Sequence, residues 1–338
     1  VRLTLVAFCV FIVFSVSGQK TDTIVHINGN VLTGEIKKLD YGIVTFKMDG
    51  MGTISFEIEK IQSIKSQKYF EMKLSNGNYY FGTFDTSLLK QKVKIVLNQR
   101  LELVNIKDII EVYPIKKNFW LRLSGQFDLG FDFSKGSNVG KLNFNGYLNY
   151  RKRKSYYEFS WTNNSTVQSD TISSAKADIS ISYQRFLREK WSMNFQTGLN
   201  KNTELGLDVR AFVTALGIWD IIHNNRNRLY LGGGLSGNRE WSNDSIGNNN
   251  LEMAFSTSYK LFKYISPKID LYTDFTFFPS LSTKRRMRFE YNLNSKFEVF
   301  KDFYLGLNFY YSYDNKPITV TAAKDDWGVS TTIGYSFH

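Results

Sequence analysis

Residues 286–300 read RMRFEYNLNSKFEVF, and their alternation decides the fold. Met287, Phe289, Tyr291, Leu293, Phe297 and Val299 fall on one parity, broken only by Ser295. Arg286, Arg288, Glu290, Asn292, Asn294, Lys296 and Glu298 fall on the other. Successive strand side chains point to opposite faces, so this period of two gathers apolar groups on one face and charges on the other. A strand of a soluble sandwich alternates too, but usually over about five or six residues. A strand that crosses a bilayer needs about ten, apolar towards lipid and polar towards an enclosed lumen. The stretch therefore predicts a transmembrane barrel strand.

Similar segments recur from Phe119 to the C-terminus. Together they predict an all-β protein whose residues 118–338 form an antiparallel transmembrane β-barrel of about twelve strands. The polar parity assigns Arg122, Asp128 and Asp132 to the lumen from the first segment and Arg151 from the second. Glu158 and Asp178 follow from the third and fourth, and Asp208 and Arg210 from the sixth. Glu252 and Lys260 come from the eighth, and Asp270 and Asp274 from the ninth. The opening stretch adds Arg286, Arg288, Glu290, Lys296 and Glu298. Mixed signs in a narrow interior predict paired networks, because an unpaired buried charge is costly. Gly232, Gly233 and Gly234 in the seventh segment predict a bend or a close backbone approach. Long connections such as NREWSNDSIGNNN (238–250) and DNKPITVTAAKDD (314–326) alternate with short ones such as LREK (187–190) and FKD (300–302). In outer-membrane barrels the short turns face the periplasm.

Residues 22–117 follow another rule. Asn28-Gly29-Asn30 precedes Gly34, and 48 residues later Asn76-Gly77-Asn78 precedes Gly82. Ile58, Ile61 and Ile64 fall opposite Ile106, Ile109 and Val112 at the same offset. A fixed offset kept by turn and apolar residues alike predicts an internal duplication, with copies at about 22–68 and 69–117. Asn-Gly suits a tight hairpin, which needs positive φ at its centre. Short curved strands around such turns predict a duplicated small β-barrel module of SH3 or Sm type, placed in the periplasm.

The apolar run LTLVAFCVFIVFSV (3–16) follows Arg2 and precedes Ser17-Gly18. It is too short to span as a helix and suits a signal peptide over residues 1–18. The single cysteine, Cys9, lies inside it, so neither disulfides nor cysteine–zinc chemistry is expected. Formal net charge is +12. For an exported chain this suits anionic lipid or lipopolysaccharide, and no basic stripe of nucleic-acid type is present.

The C-terminal sequence resembles a family catalogued as domain of unknown function 481, also described as salt-induced outer membrane proteins. Pro279-Ser280-Leu281, Arg286 with Arg288, Lys301-Asp302-Phe303, Tyr313-Asp314-Asn315-Lys316-Pro317 and Asp326-Trp327-Gly328 carry the resemblance. It covers residues 119–338 and is most specific over the last sixty. It implies an outer-membrane barrel, and no agreed activity. Tyr335-Ser336-Phe337 resembles the terminal signal read by the barrel assembly machinery, from which the final His338 departs.

Enzyme chemistry finds little footing. His26, His223 and His338 have no metal-ligand spacing, and no catalytic residue, cofactor or metal site is assigned. A surface lipase would depend on His223 as its base. Asp314 with Asp325 and Asp326 could gather calcium. The main expectation is a largely sealed outer-membrane barrel anchoring a periplasmic interaction module, with a periplasmic protein as the module's partner. The alternative is a narrow ion or small-solute channel.

Overall fold

The computed structural model describes residues 22–335 apart from 99, 117, 169–170, 188–189, 243–244, 265–266 and 320–321. The predicted signal segment, Lys117 and the terminal Ser336, Phe337 and His338 lie outside the described residues.

The N-terminal sheet contains β1 (Asp22–His26), β2 (Val31–Asp40), β3 (Ile43–Met48), β4 (Gly52–Glu57), β5 (Ile61–Leu74), β6 (Tyr79–Thr86), β7 (Lys92–Val96), β8 (Leu101–Asn105) and β9 (Ile109–Pro114). Its pairings repeat along the chain. Asp22 pairs with Gly34, as Phe70 does with Gly82. Ile24 pairs with Ile64, as Met72 does with Val112. Gly29 and Gly77 both take φ near +90°, and Asn28 and Asn76 each accept the amide of the residue two further on. Gly34 and Gly82 answer to a different demand. A Cβ there would lie 2.3 Å from the Lys47 carbonyl oxygen and 2.2 Å from that of Val96. Strand β5 runs through the expected boundary between copies, pairing with β1 by its first half and with β6 and β9 by its second. The halves therefore share one apolar core rather than forming two separately cored barrels. Ile24, Phe46 and Ile58 meet Phe70, Phe84 and Ile95 within it. Each such buried side chain contributes roughly 1.5–3 kcal/mol.

The second sheet is the predicted barrel. It has twelve antiparallel strands paired in chain order from β10 to β21, with no pairing between β10 and β21 among the described residues. They are β10 (Leu123–Ser134), β11 (Val139–Lys152), β12 (Ser155–Gln168), β13 (Thr171–Phe186), β14 (Trp191–Asn202) and β15 (Leu207–His223), then β16 (Asn227–Ser242), β17 (Ser245–Lys263), β18 (Ile269–Pro279), β19 (Met287–Phe300), β20 (Phe303–Asp314) and β21 (Asp325–Tyr335). The first segment starts later than its alternation suggested, because Phe119–Arg122 forms one helical turn. Most of NREWSNDSIGNNN is strand rather than loop, extending the β16–β17 pair to Ser242 and Ser245. The glycine run stays within β16. Only Gly234 is tightly approached, since a Cβ there would meet the Ala215 carbonyl oxygen at 1.9 Å.

Burial in this sheet is inverted. Phe127, Leu129, Phe131, Val213 and Ile333 are each more than 60% exposed, while Arg210, Glu240, Glu252, Arg286, Arg288 and Asp314 are buried. On the lipid side, aromatic rows cross the strands. The Phe289 ring lies 5.9 Å from Phe275 and 5.4 Å from Tyr311, within the range of favourable aromatic pairs.

Candidate functional site

The module sits on the short-turn end of the barrel. Arg151, near the end of β11, donates to Glu71 of β5 at 2.9 Å and to Glu111 of β9 at 3.1 Å, and covers the Tyr113 ring at 3.8 Å. Lys73 of β5 lies 3.3 Å from Asp220 and 3.1 Å from His223 Nδ1. Asp220 also accepts from Arg228 at 3.0 Å, and His223 Nε2 lies 3.5 Å from Glu111. These groups are mostly buried, so each charge depends on its partners rather than on water. Burial pushes the Glu111 carboxyl up, but Arg151, Lys73 and His223 outweigh it and hold it down at about 2. Burial, followed by repulsion from Glu111, lifts Asp40 to about 6.

Further contacts spread around the mouth. Asn225, in the turn after β15, donates to the Lys107 and Ile109 carbonyl oxygens at 2.8 and 3.0 Å. The Tyr41 ring lies 4.5 Å from Phe262 at the end of β17. Gly42 beside it takes φ +75°, and any Cβ there would strike the Asn225 carbonyl oxygen at 2.6 Å. Glycine thus lets the Tyr41-Gly42 turn rest against the barrel. On the β11–β12 side, Arg153 covers the Phe81 ring at 3.9 Å.

A second layer of ion pairs lies towards the opposite end of the barrel. Arg286 bridges Glu240 at 2.8 Å and Asp314 at 2.5 Å. Arg210 pairs with the same Glu240, and Arg288 with Glu252, each at 2.7 Å. Asn238 donates to Glu252 at 2.9 Å. A cavity of about 620 Å³, lined from β12 to β20, reaches from Arg228 to Arg210, Arg288 and Asp314 of this layer. On β21, Asp326 is 3.7 Å from Lys176 of β13 and accepts from Asn202 of β14. That contact draws β21 across to β13 and β14.

The lumen assignments divide accordingly. Glu158, Asp178, Arg210, Asp274, Arg288 and Glu290 line the cavity. Arg286 and Glu252 belong to the ion-pair layer. Arg122 is not in the lumen, because it sits in the helical turn and donates to the Lys116 carbonyl oxygen. Asp128 and Asp132 are exposed on β10, which contributes nothing to the cavity lining; Asp128 accepts from Gln126. Arg151 serves the module contact instead. Asp208 is half-buried and lies outside the lining. Lys260 lies over Tyr41 and Tyr272, and Lys296 over Tyr304. Asp270 is exposed, and Glu298 pairs with Lys268 at 3.1 Å, near the turn between β17 and β18.

Parity reasoning missed Glu240, Asp314, Asp220 and Arg228. Glu240 was hidden in an assumed loop, yet it continues the parity of Ser236 on β16. The partners Glu71, Lys73 and Glu111 carry no sequence signal, since their role exists only once the module is docked. His223 lies among Lys73, Asp220 and Glu111 at this contact. Asp314 takes Arg286 and Asp326 takes Asn202, and the described residues contain no metal-binding group of three.

A comparison with curated proteins gives no match. A solved structure described as a bacterial polysaccharide outer membrane secretin is similar with a TM-score of 0.34. It shares 9% identity, over 80% of this chain and 97% of that one, a likeness too slight to carry an argument. The profile of the family described as "Protein of unknown function, DUF481" matches residues 127–337, spanning β10 to β21. By that match over more than half its length, the chain belongs to the DUF481 family.

Proposed function

We propose that this is an outer-membrane barrel kept largely sealed, anchoring an N-terminal module on the periplasmic side, where the module meets a protein partner. The observation that carries this reading is the buried network joining Arg151, Asp220 and His223 of the barrel to Glu71, Glu111 and Lys73 of the module. It holds the module over the mouth while the Arg286–Glu240–Asp314 layer fills the lumen further on. The short turns against the module support the periplasmic side. A non-enzymatic role fits the placement of His223, whose ring nitrogens face charged partners. Lipid and lipopolysaccharide surround the barrel in this reading, and the barrel assembly machinery inserts it.

The polar cavity favours a second reading, a narrow channel that the module stops. Single-channel conductance of the full chain in a planar bilayer separates the two. The sealed reading expects silence from the unmodified chain. Arg151→Glu sets like charges against Glu71 and Glu111, and should loosen the module. Steady ion-selective openings only in that variant support the stopped channel. Openings in the unmodified chain overturn sealing.

A further inference from the structure

The two halves of the module differ at their edges. Strands β4 and β8 end the hydrogen-bonded path of the sheet. In the first half, Thr45 pairs with Ser55 and Lys47 with Thr53, while Ile54 and Phe56 pack on the core. In the second half, the corresponding pairs are Lys94 with Leu103 and Val96 with Leu101. Leu101 is 63% exposed and Leu103 49%. Polar positions of one edge have become leucines on the other, where sheets usually place charge to block unwanted pairing.

The register also locates this edge. Tyr79, Phe81, Thr83 and Asp85 share the outward face of β6, opposite the buried Gly82 and Phe84. At one end of that row Tyr79 lies 6.2 Å from Phe186 and Phe81 touches Arg153, both on the barrel rim. Two residues on, Thr83 pairs with Val96, which pairs with Leu101. Neighbouring strands lie about 4.8 Å apart, so Leu101 shares the rim-facing surface and lies two strands to the side of β6. Leu88 in the β6–β7 turn is fully exposed. Lys92 and Lys94 share the outward face of β7 with Val96, Lys90 precedes them in the turn, and Arg100 pairs with Glu102 at 3.4 Å.

We infer that the β7–β8 edge rests on the anionic headgroups of the leaflet around the barrel mouth. Exposed apolar side chains among lysines are the chemistry of an interfacial anchor, and a basic surface adds affinity for anionic lipid. Continuity with the rim and charge complementarity favour lipid over a protein occupant. The inference rests on the module staying docked on a barrel that spans the bilayer.

The test uses the full chain with Cys9→Ser and one cysteine, at Leu101, Thr53 or Leu129, carrying an environment-sensitive fluorophore. Vesicles of phosphatidylglycerol or of phosphatidylcholine contain a lipid spin-labelled near the headgroup. Loss of emission at position 101 in phosphatidylglycerol, with position 53 unaffected, is the expected result. Lys92→Glu with Lys94→Glu should restore emission at position 101. Position 101 behaving like position 53 overturns the inference. So does shielding without quenching, which would mean a protein or a second copy on the edge. Equal quenching in phosphatidylcholine overturns the anionic preference. The label at 129, midway along exposed β10, is read in matching vesicles whose lipid is spin-labelled near the chain end and must be quenched in each; its failure would count against the spanning barrel instead.

Discussion

The module and the barrel bury opposite chemistries with the same backbone. In the module, Phe46, Phe70 and Phe84 are hidden and charges such as Lys65 face outward. In the barrel, Arg286, Arg288 and Glu240 are hidden and Phe131 faces outward. An alternating strand carries no instruction about which face turns inward. The surrounding medium decides, since lipid accepts the apolar face and leaves the charges to satisfy one another. The boundary between the two regimes is itself ionic, because the mouth of the barrel is lined by groups that an apolar module surface could not satisfy.

The sharpest way to break this comparison is Arg286→Met, which takes the guanidinium from Asp314 and leaves Glu240 with Arg210 as its cation. A loss of about 3–5 kcal/mol is expected in urea unfolding of the barrel in vesicles. A loss below about 1 kcal/mol would mean that lumen water solvates these carboxylates and that the layer is not a true interior. Phe46→Ala should cost about 3–5 kcal/mol, but in the module alone. Heat-modifiability of the barrel should not change; if both transitions fall together, module and barrel are one cooperative unit.

The smallest effect concerns Asp40. Burial and Glu111 raise its carboxyl from 3.8 to about 6, with Lys38, Tyr113 and Arg228 opposing. A raised carboxyl contributes stability below about pH 3.8 that is lost as pH rises through about 6. Asp40→Asn should therefore stabilise the module by about 1–3 kcal/mol at pH 7.5 and leave it unchanged at pH 3.5. Glu111 runs the other way. Its contribution is present above 4.5 and declines as pH falls from there towards 2, in the variant as in the unmodified chain, so comparing the two at the same pH leaves the Asp40 effect visible. An equal gain at both pH values would show that Asp40 acts through packing instead.

Much of the barrel was legible because its signal is local. Arg288 and Glu290 stand on the polar parity of a long strand, and both border the cavity. Asp128 and Asp132 share that parity on β10 but lie outside the cavity, because parity assigns a face and not an enclosure. Arg151 shows the same limit from another side, since its polar face met the module rather than a lumen. Glu240 was missed because a polar run reads as loop until its partner strand is known. The glycines divide similarly. Gly29 follows from hairpin chemistry, whereas Gly34 and Gly42 matter because another backbone lies against them.

By itself, the sequence determined the period, and with it the strands, their number and the spacing of the two module halves. These depend on neighbours along the chain. Only the tertiary structure decided that the halves share a core, that Arg286 joins Glu240 to Asp314, and that Lys73 and Glu111 face the barrel mouth. Those relations couple residues distant in the chain, and an ion pair has no period to announce it.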